Sequence, residues 1–103
     1  VRDLVFDAKA FDDLAWWIEH DRKKAMQLIK LIKAIQRDPQ SGLGQPEPLR
    51  HQFSGCWSRR IDQEHRLIYE VFEDRIVILA CRYPLTGYGN PFIISLCKSL
   101  KPR

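Results

Sequence analysis

Apolar positions along this chain recur at helical spacing up to about residue 37 and at strand spacing after residue 45. Residues 4–6 form a short apolar run that predicts a strand. Phe11, Leu14, Ala15 and Ile18 then recur every three to four residues, with Trp16 and Trp17 beside them, and predict a first helix. In a second, Ala25, Leu28, Ile29, Ile32 and Ile35 make one stripe, while Lys23, Lys24, Lys30 and Lys33 fall off it. Asp21 is placed to N-cap this helix, its short carboxylate accepting from the first free N–H groups. Asp38-Pro39 ends it, because the residue before a proline is steered out of the helical region.

After the turn at residues 41–45, segments 56–61, 65–72 and 75–82 are of strand length and rich in aromatic and β-branched residues. Asp-Gln-Glu and Glu-Asp turns separate them, and residues 49–53 add a further candidate strand. The order predicts an α+β fold, its N-terminal strand and two helices packed on one face of a mainly antiparallel sheet. The other face is then free for function. Period-two alternation turns Leu67, Tyr69 and Val71 one way and Arg66, Ile68 and Glu70 the other. Arg60 falls opposite Trp57 and Ile61, so Arg60 and Arg66 are expected to share the open face. Two arginines held close repel unless an anion lies between them. Trp16 and Trp17 are expected in the core or at a dimer interface.

Composition narrows the class. The chain has 103 residues, 45% apolar and 29% charged, as one soluble domain with a single core would. No apolar run reaches the eighteen or so residues of a membrane span, and the charged start gives no signal-peptide pattern. Cys56, Cys81 and Cys97 are odd in number and lack metal-ligand spacing, which predicts reduced thiols, a cytoplasmic location, and neither metal nor cofactor. The net charge of +4 lies mostly in the last 21 residues, which hold three basic residues and no acid. Total charge therefore says little about a partner.

Local charge says more. Between Pro46 and Tyr83 there are six arginines and two histidines but no lysine. Arginine's rigid fork grips phosphate oxygens in pairs, where lysine offers a point charge. Metal-free cleavage of RNA needs a base for the 2′-OH, cations for the phosphorane, and an acid for the leaving 5′-oxygen. Glu47 is the candidate base, fixed between Pro46 and Pro48, although Asp62, Glu64, Glu70, Glu73 and Asp74 share the stretch. Arg66 and Arg60 are candidates for transition-state charge. Arg50, Arg59 and Arg82 are candidates for flanking phosphates, His51 and His65 for groups titrating near neutrality, and Tyr83 for stacking on a base. Each has a plainer alternative: a solvated loop glutamate, a salt-bridged sheet surface, a structural histidine, or a tyrosine capping the last strand.

The segments GQPEPLRH, SGCWSRRIDQEHRLIYEV and ACRY resemble the Txe/YoeB family of bacterial toxins, within the wider RelE-like group. The resemblance covers residues 1 to about 83, which sets a toxin domain at 1–83 and an atypical tail at 84–103. It implies a ribosome-dependent mRNA endonuclease of a type II toxin–antitoxin system that acts on mRNA in the 70S A site. It also implies a YefM-like antitoxin, operator DNA bound only through that antitoxin, and a homodimer. Carried over by motif, Glu47 is the general base, Arg66 the main phosphate stabiliser and Arg60 its assistant, with Arg50 in place of a substrate-binding lysine. Family members typically end in C-R-Y-H-Y, the histidine acting as general acid. Here Cys81-Arg82-Tyr83 is followed by Pro84 and Leu85. Pro84 cannot donate a proton, so the alternative is a weakened toxin homologue that binds its antitoxin and regulates the operon.

Overall fold

The structure, a computed structural model, describes residues 2–49 and 55–84, the last two by their backbone alone. Strand β1 (Asp3–Phe6) leads into helix α1 (Ala8–His20), whose N-terminus is capped by the Asp7 carboxylate accepting from the Lys9 N–H at 3.3 Å. Asp21 then serves two helices. Its N–H closes α1 on the Trp17 carbonyl at 2.7 Å, and its carboxylate N-caps α2 (Arg22–Arg37) by accepting from the Lys24 N–H at 3.2 Å. Helix α2 stops at Asp38, followed by the proline that cannot continue it.

Four more strands follow: β2 (Glu47–Pro48), β3 (Cys56–Arg60), β4 (His65–Val71) and β5 (Arg75–Pro84). The sheet order is β1-β5-β4-β3-β2, with β1 parallel to β5 and all other neighbours antiparallel. Only Leu49 of the candidate strand at 49–53 is described, and it follows a β2 of two residues.

Both helices lie on one face of the sheet. Ala10 and Trp17 of α1 and Ala25, Leu28, Leu31, Ile32 and Ile35 of α2 pack with Leu67, Tyr69, Ile76, Ile78 and Cys81. Leu31, which the stripe omitted, is core, whereas Ile29 is half-buried. Where β1 ends, α1 takes over its edge of β5. Asp13 accepts the Cys81 N–H at 2.9 Å, and the Trp17 indole donates to the Cys81 carbonyl at 2.8 Å. These bonds satisfy backbone groups that no strand reaches.

The opposite face, expected to be free for function, is in part buried. Leu49, Cys56, Ile68, Leu79 and Ala80 form a second buried cluster there. The register of β4 against β5 slips between Tyr69–Ile78 and Ile68–Ala80, and slips again before Arg66–Tyr83. Such bulges put consecutive residues on one side of a strand. Leu79 and Ala80 thus both join the second cluster, while Cys81 and Arg82 both turn to the helices. No helix among the described residues is long and apolar enough to cross a membrane.

Candidate phosphodiester-binding site

On the sheet face away from the helices, three strands bring together a carboxylate, two arginines and a serine. Glu47 of β2 pairs with Ser58 of β3, and Arg60 of β3 pairs with Arg66 of β4. The Arg66 guanidinium donates from Nη1 to Glu47 Oε1 at 3.0 Å and to Ser58 Oγ at 2.7 Å. Exposure divides this pair. The Arg66 side chain is 8% exposed and that of Glu47 is 47% exposed. The cation is therefore locked between strands, while the carboxylate faces solvent and can meet a substrate. Arg60 stands exposed in the same row. Ser58, fully buried, carries no charge to mark it in the sequence, yet alternation puts it on the face of Arg60.

Glu47 gets its position from the preceding loop, and here Arg59 has a different place from the one expected. It is fully buried on the helix side of β3. Its Nε donates to the Tyr69 hydroxyl at 3.0 Å, Nη1 to the Leu43 carbonyl at 3.0 Å, and Nη2 to the Asp38 and Ser41 carbonyls at 2.6 and 2.9 Å. The Tyr69 hydroxyl donates in turn to the Pro39 carbonyl at 2.7 Å. Four carbonyls of one loop are thus gathered by two side chains, so Arg59 is a loop anchor and is not available to RNA. Burial raises the Tyr69 pKa, only partly offset by Arg59. The Asp38 carboxyl is held below its ordinary value, first by the Ser41 hydroxyl and then by the Gln40 N–H. Gly44 finishes the loop at φ +84°, where a Cβ would lie 2.8 Å from the Leu31 side chain; its carbonyl accepts the Arg60 N–H.

Two other candidates stand apart from this row. His65 lies on the helix side of β4, its ring edge-on to Trp17 at 5.0 Å and its Nδ1 3.1 Å from Asp62. Arg82 stacks its guanidinium 3.7 Å from the Trp16 ring centroid, turned there by the second bulge. Neither joins Glu47, Arg60 and Arg66. Arg50, His51, the side chain of Tyr83 and the tail beyond Pro84 lie outside the described residues. Among the described residues, no group of three or more His, Cys, Asp or Glu is arranged to hold a metal ion.

Comparison with known proteins gives this arrangement a family. Residues 6–91 match the family described as the YoeB-like toxin of bacterial type II toxin-antitoxin systems. The toxin YoeB of Mycobacterium bovis is 49% identical over 83 residues, covering 81% of this chain and 98% of that protein. Among solved structures, the YoeB dimer from Staphylococcus aureus superposes with a TM-score of 0.74 at 36% identity, over 80% of this chain and 95% of that one. A heterotetrameric YoeB–YefM toxin–antitoxin complex from the same organism gives a TM-score of 0.72 at 36% identity, over 81% and 97%. A RelE-like α+β domain whose sequence matches this family over most of its length belongs to it: the chain is a member of the YoeB-like toxin family of bacterial type II toxin–antitoxin systems.

Proposed function

We propose that this toxin is a ribosome-dependent mRNA endonuclease that works by general acid–base attack of the ribose 2′-OH on the adjacent phosphate. The observation that carries the reading is the Glu47–Arg66 pair, a solvent-facing carboxylate 3.0 Å from a buried, pre-oriented guanidinium. Glu47 takes the 2′-OH proton. The attacked phosphate lies over Arg66 and Arg60, replacing Glu47 as the anion beside Arg66, and its negative charge grows as the phosphorane forms. Donors fixed before the reaction need no reorganisation, and removing one typically costs ~10²–10³-fold in rate. Ser58 holds Arg66 in that orientation. The bond to the 5′-oxygen breaks, the departing oxygen takes its proton from water, and the cyclic phosphate left upstream opens to a 3′-phosphate on hydrolysis.

By analogy with the solved relatives, the partners are a YefM-like antitoxin and a second copy of the chain; the family resemblance adds operator DNA, reached only through the antitoxin. The compartment is the cytoplasm, where mRNA and 70S ribosomes are found.

Pro84 favours a second reading. It pairs with His65 at the end of β5, where the family's motif has its histidine, and it has no proton to donate. Loss of a general acid typically costs ~10²–10⁴-fold, which would leave a slow enzyme whose main work is antitoxin binding and operon control. Primer extension on mRNA bound to 70S ribosomes separates the two. Cuts in the A-site codon that vanish with Glu47→Gln support the nuclease, and a rate rising by ~10²-fold or more in Pro84→His identifies the missing acid. Cuts that persist in Glu47→Gln would remove the base assignment. No cuts from the parent or from Pro84→His would leave the regulatory reading.

A further inference from the structure

The family match stops at residue 91, and a strongly apolar segment lies beyond it. Phe92, Ile93, Ile94, Leu96 and Leu100 are gathered there with Lys98, Lys101 and Arg103 and no acid. These residues lie outside the described ones. Apolar side chains so closely spaced call for cover, and the body offers a surface that suits both their apolarity and their charge. It is an open cleft of about 640 Å³ where the α1–α2 junction meets the β3–β4 turn. Trp16, Trp17 and Ile61 give the cleft apolar walls, and Asp21, Asp62 and Glu64 line it as well. Its one lysine, Lys24, already pairs with Asp62 at 3.5 Å. Glu64 is exposed and, among the described residues, has no ion-pair partner.

The chain leaves β5 at the wall of this cleft. Pro84, the last residue of β5, pairs with His65, and His65 is part of the cleft lining. Residues 85–91 connect Pro84 to Phe92, and a stretch of that length spans up to about 25 Å. Such a reach also includes the opposite sheet face, where charge decides against it. The Arg60–Arg66 row there repels a segment whose charges are all positive. Helix α2, with six Lys/Arg and no acid, repels it on the outer side of the helix layer.

We infer that residues 92–103 fold back across the β3–β4 turn and seat their apolar side chains in this cleft, with Lys98 and Lys101 beside Asp62 and Glu64. The apolar walls supply the attraction, and the unpaired Glu64 fixes which way the lysines turn. Seated there, the segment extends the helix layer and covers Trp16. The Glu47–Arg66 pair, on the other face of the sheet, stays open to RNA. The inference concerns a different face from the nuclease reading and stands or falls without it.

Carbodiimide coupling of the full chain tests this, because it joins a lysine amine only to a carboxylate already in contact with it. Unlabelled and isotope-labelled protein are mixed in equal parts first, so that mass spectrometry separates links within one chain from links between two. The expected product is an intrachain link from Lys98 or Lys101 to Asp62 or Glu64. Phe92→Ser/Leu96→Ser should cut its yield by about tenfold or more, since apolar burial holds the segment in place. An unchanged yield in that variant would overturn the inference, leaving a contact made by charge alone. Links to Asp12 or Glu19 in place of the cleft acids would overturn it too, moving the segment to the outer side of α1 beside the exposed Phe11 and Ile18. Links to Glu47 would set the segment over the arginines instead, and links only between chains would make it a contact between copies. The absence of any link from Lys98 or Lys101, in protein whose buried Cys81 amide resists hydrogen exchange, would equally reject the docking.

Discussion

Arg60 and Arg66 are direct cross-strand partners in the β3–β4 ladder, and the carboxylate of Glu47 sits 3.0 Å from the Arg66 guanidinium beside them. Like charges placed directly opposite destabilise a sheet. The fold therefore tolerates repulsion in the same row that suits a phosphate. Arg60→Gln is expected to raise the urea midpoint slightly, a gain in stability of about 0.3 kcal/mol once solvent screening is allowed for. The same change should slow mRNA cleavage on the ribosome. A lower midpoint in Arg60→Gln would show that this charge supports the fold instead.

The Arg59–Tyr69 pair anchors the loop that delivers Glu47, and both side chains are fully buried. Arg59→Met strands the Asp38, Ser41 and Leu43 carbonyls together with the Tyr69 hydroxyl. Orphaned buried acceptors and the lost charge-assisted bonds should cost about 3 kcal/mol or more. Tyr69→Phe removes one partner of Arg59 and one donor to the loop, and should cost about 1–2 kcal/mol. Because the two act on one loop, the double variant should lose less than the sum. Strict additivity in urea melts would separate them into independent contacts.

Asp62 links the acid limit of stability to the β3–β4 turn. Burial pushes its pKa up, but the Glu64 and His65 N–H groups and the His65 ring together outweigh burial and hold it below the ordinary 3.8. Folding thus favours the ionised form. The stability it adds is present above about pH 4 and is lost as pH falls through the lower folded value. Asp62→Asn should be less stable by about 1 kcal/mol at pH 7 and should show a shallower loss below pH 4. Parallel acid-unfolding curves for the two proteins would disprove this role.

Asp13 takes the place of a missing strand at the Cys81 N–H. Asp13→Ala leaves that buried donor unpaired, at a cost of about 1–3 kcal/mol. Hydrogen exchange should accelerate at the Cys81 amide before it does at Ile78, which β1 and β4 still flank. Burial, with Asp13 nearby, also raises the Cys81 pKa, so the thiol should stay unreactive in the folded protein. Equal acceleration at both amides would indicate global loosening rather than loss of one bond.

Much of the fold was legible because local signals and burial agreed. Asp21 reads as a cap from its place between two apolar periodicities, and it caps both helices. The alternation in β4 sorted Leu67, Tyr69 and Val71 from Arg66, Ile68 and Glu70, and the observed clusters follow that division for Leu67, Tyr69 and Ile68. The shared face of Arg60 and Arg66 follows from the same rule. Alternation also put Arg59 on the face of Trp57 and Ile61, and its charge alone made it look like a phosphate ligand. Arginine next to arginine carries no sign of which one is buried until a loop's carbonyls are seen to surround it.

The sequence by itself determined the order of elements, the family, the two-sided sorting of side chains and the Glu47–Arg66–Arg60 trio, because these follow from period, capping chemistry and motif. Tertiary structure decided which cations face solvent and where β5 changes sides. Two bulges in the β4–β5 ladder turned Arg82 onto Trp16, a loop of four carbonyls drew Arg59 into the core, and Asp62 and Trp17 kept His65 on the helix side. Each depends on contacts between residues far apart in the chain, and a long cationic side chain turns to whichever acceptors the packed fold brings within its reach.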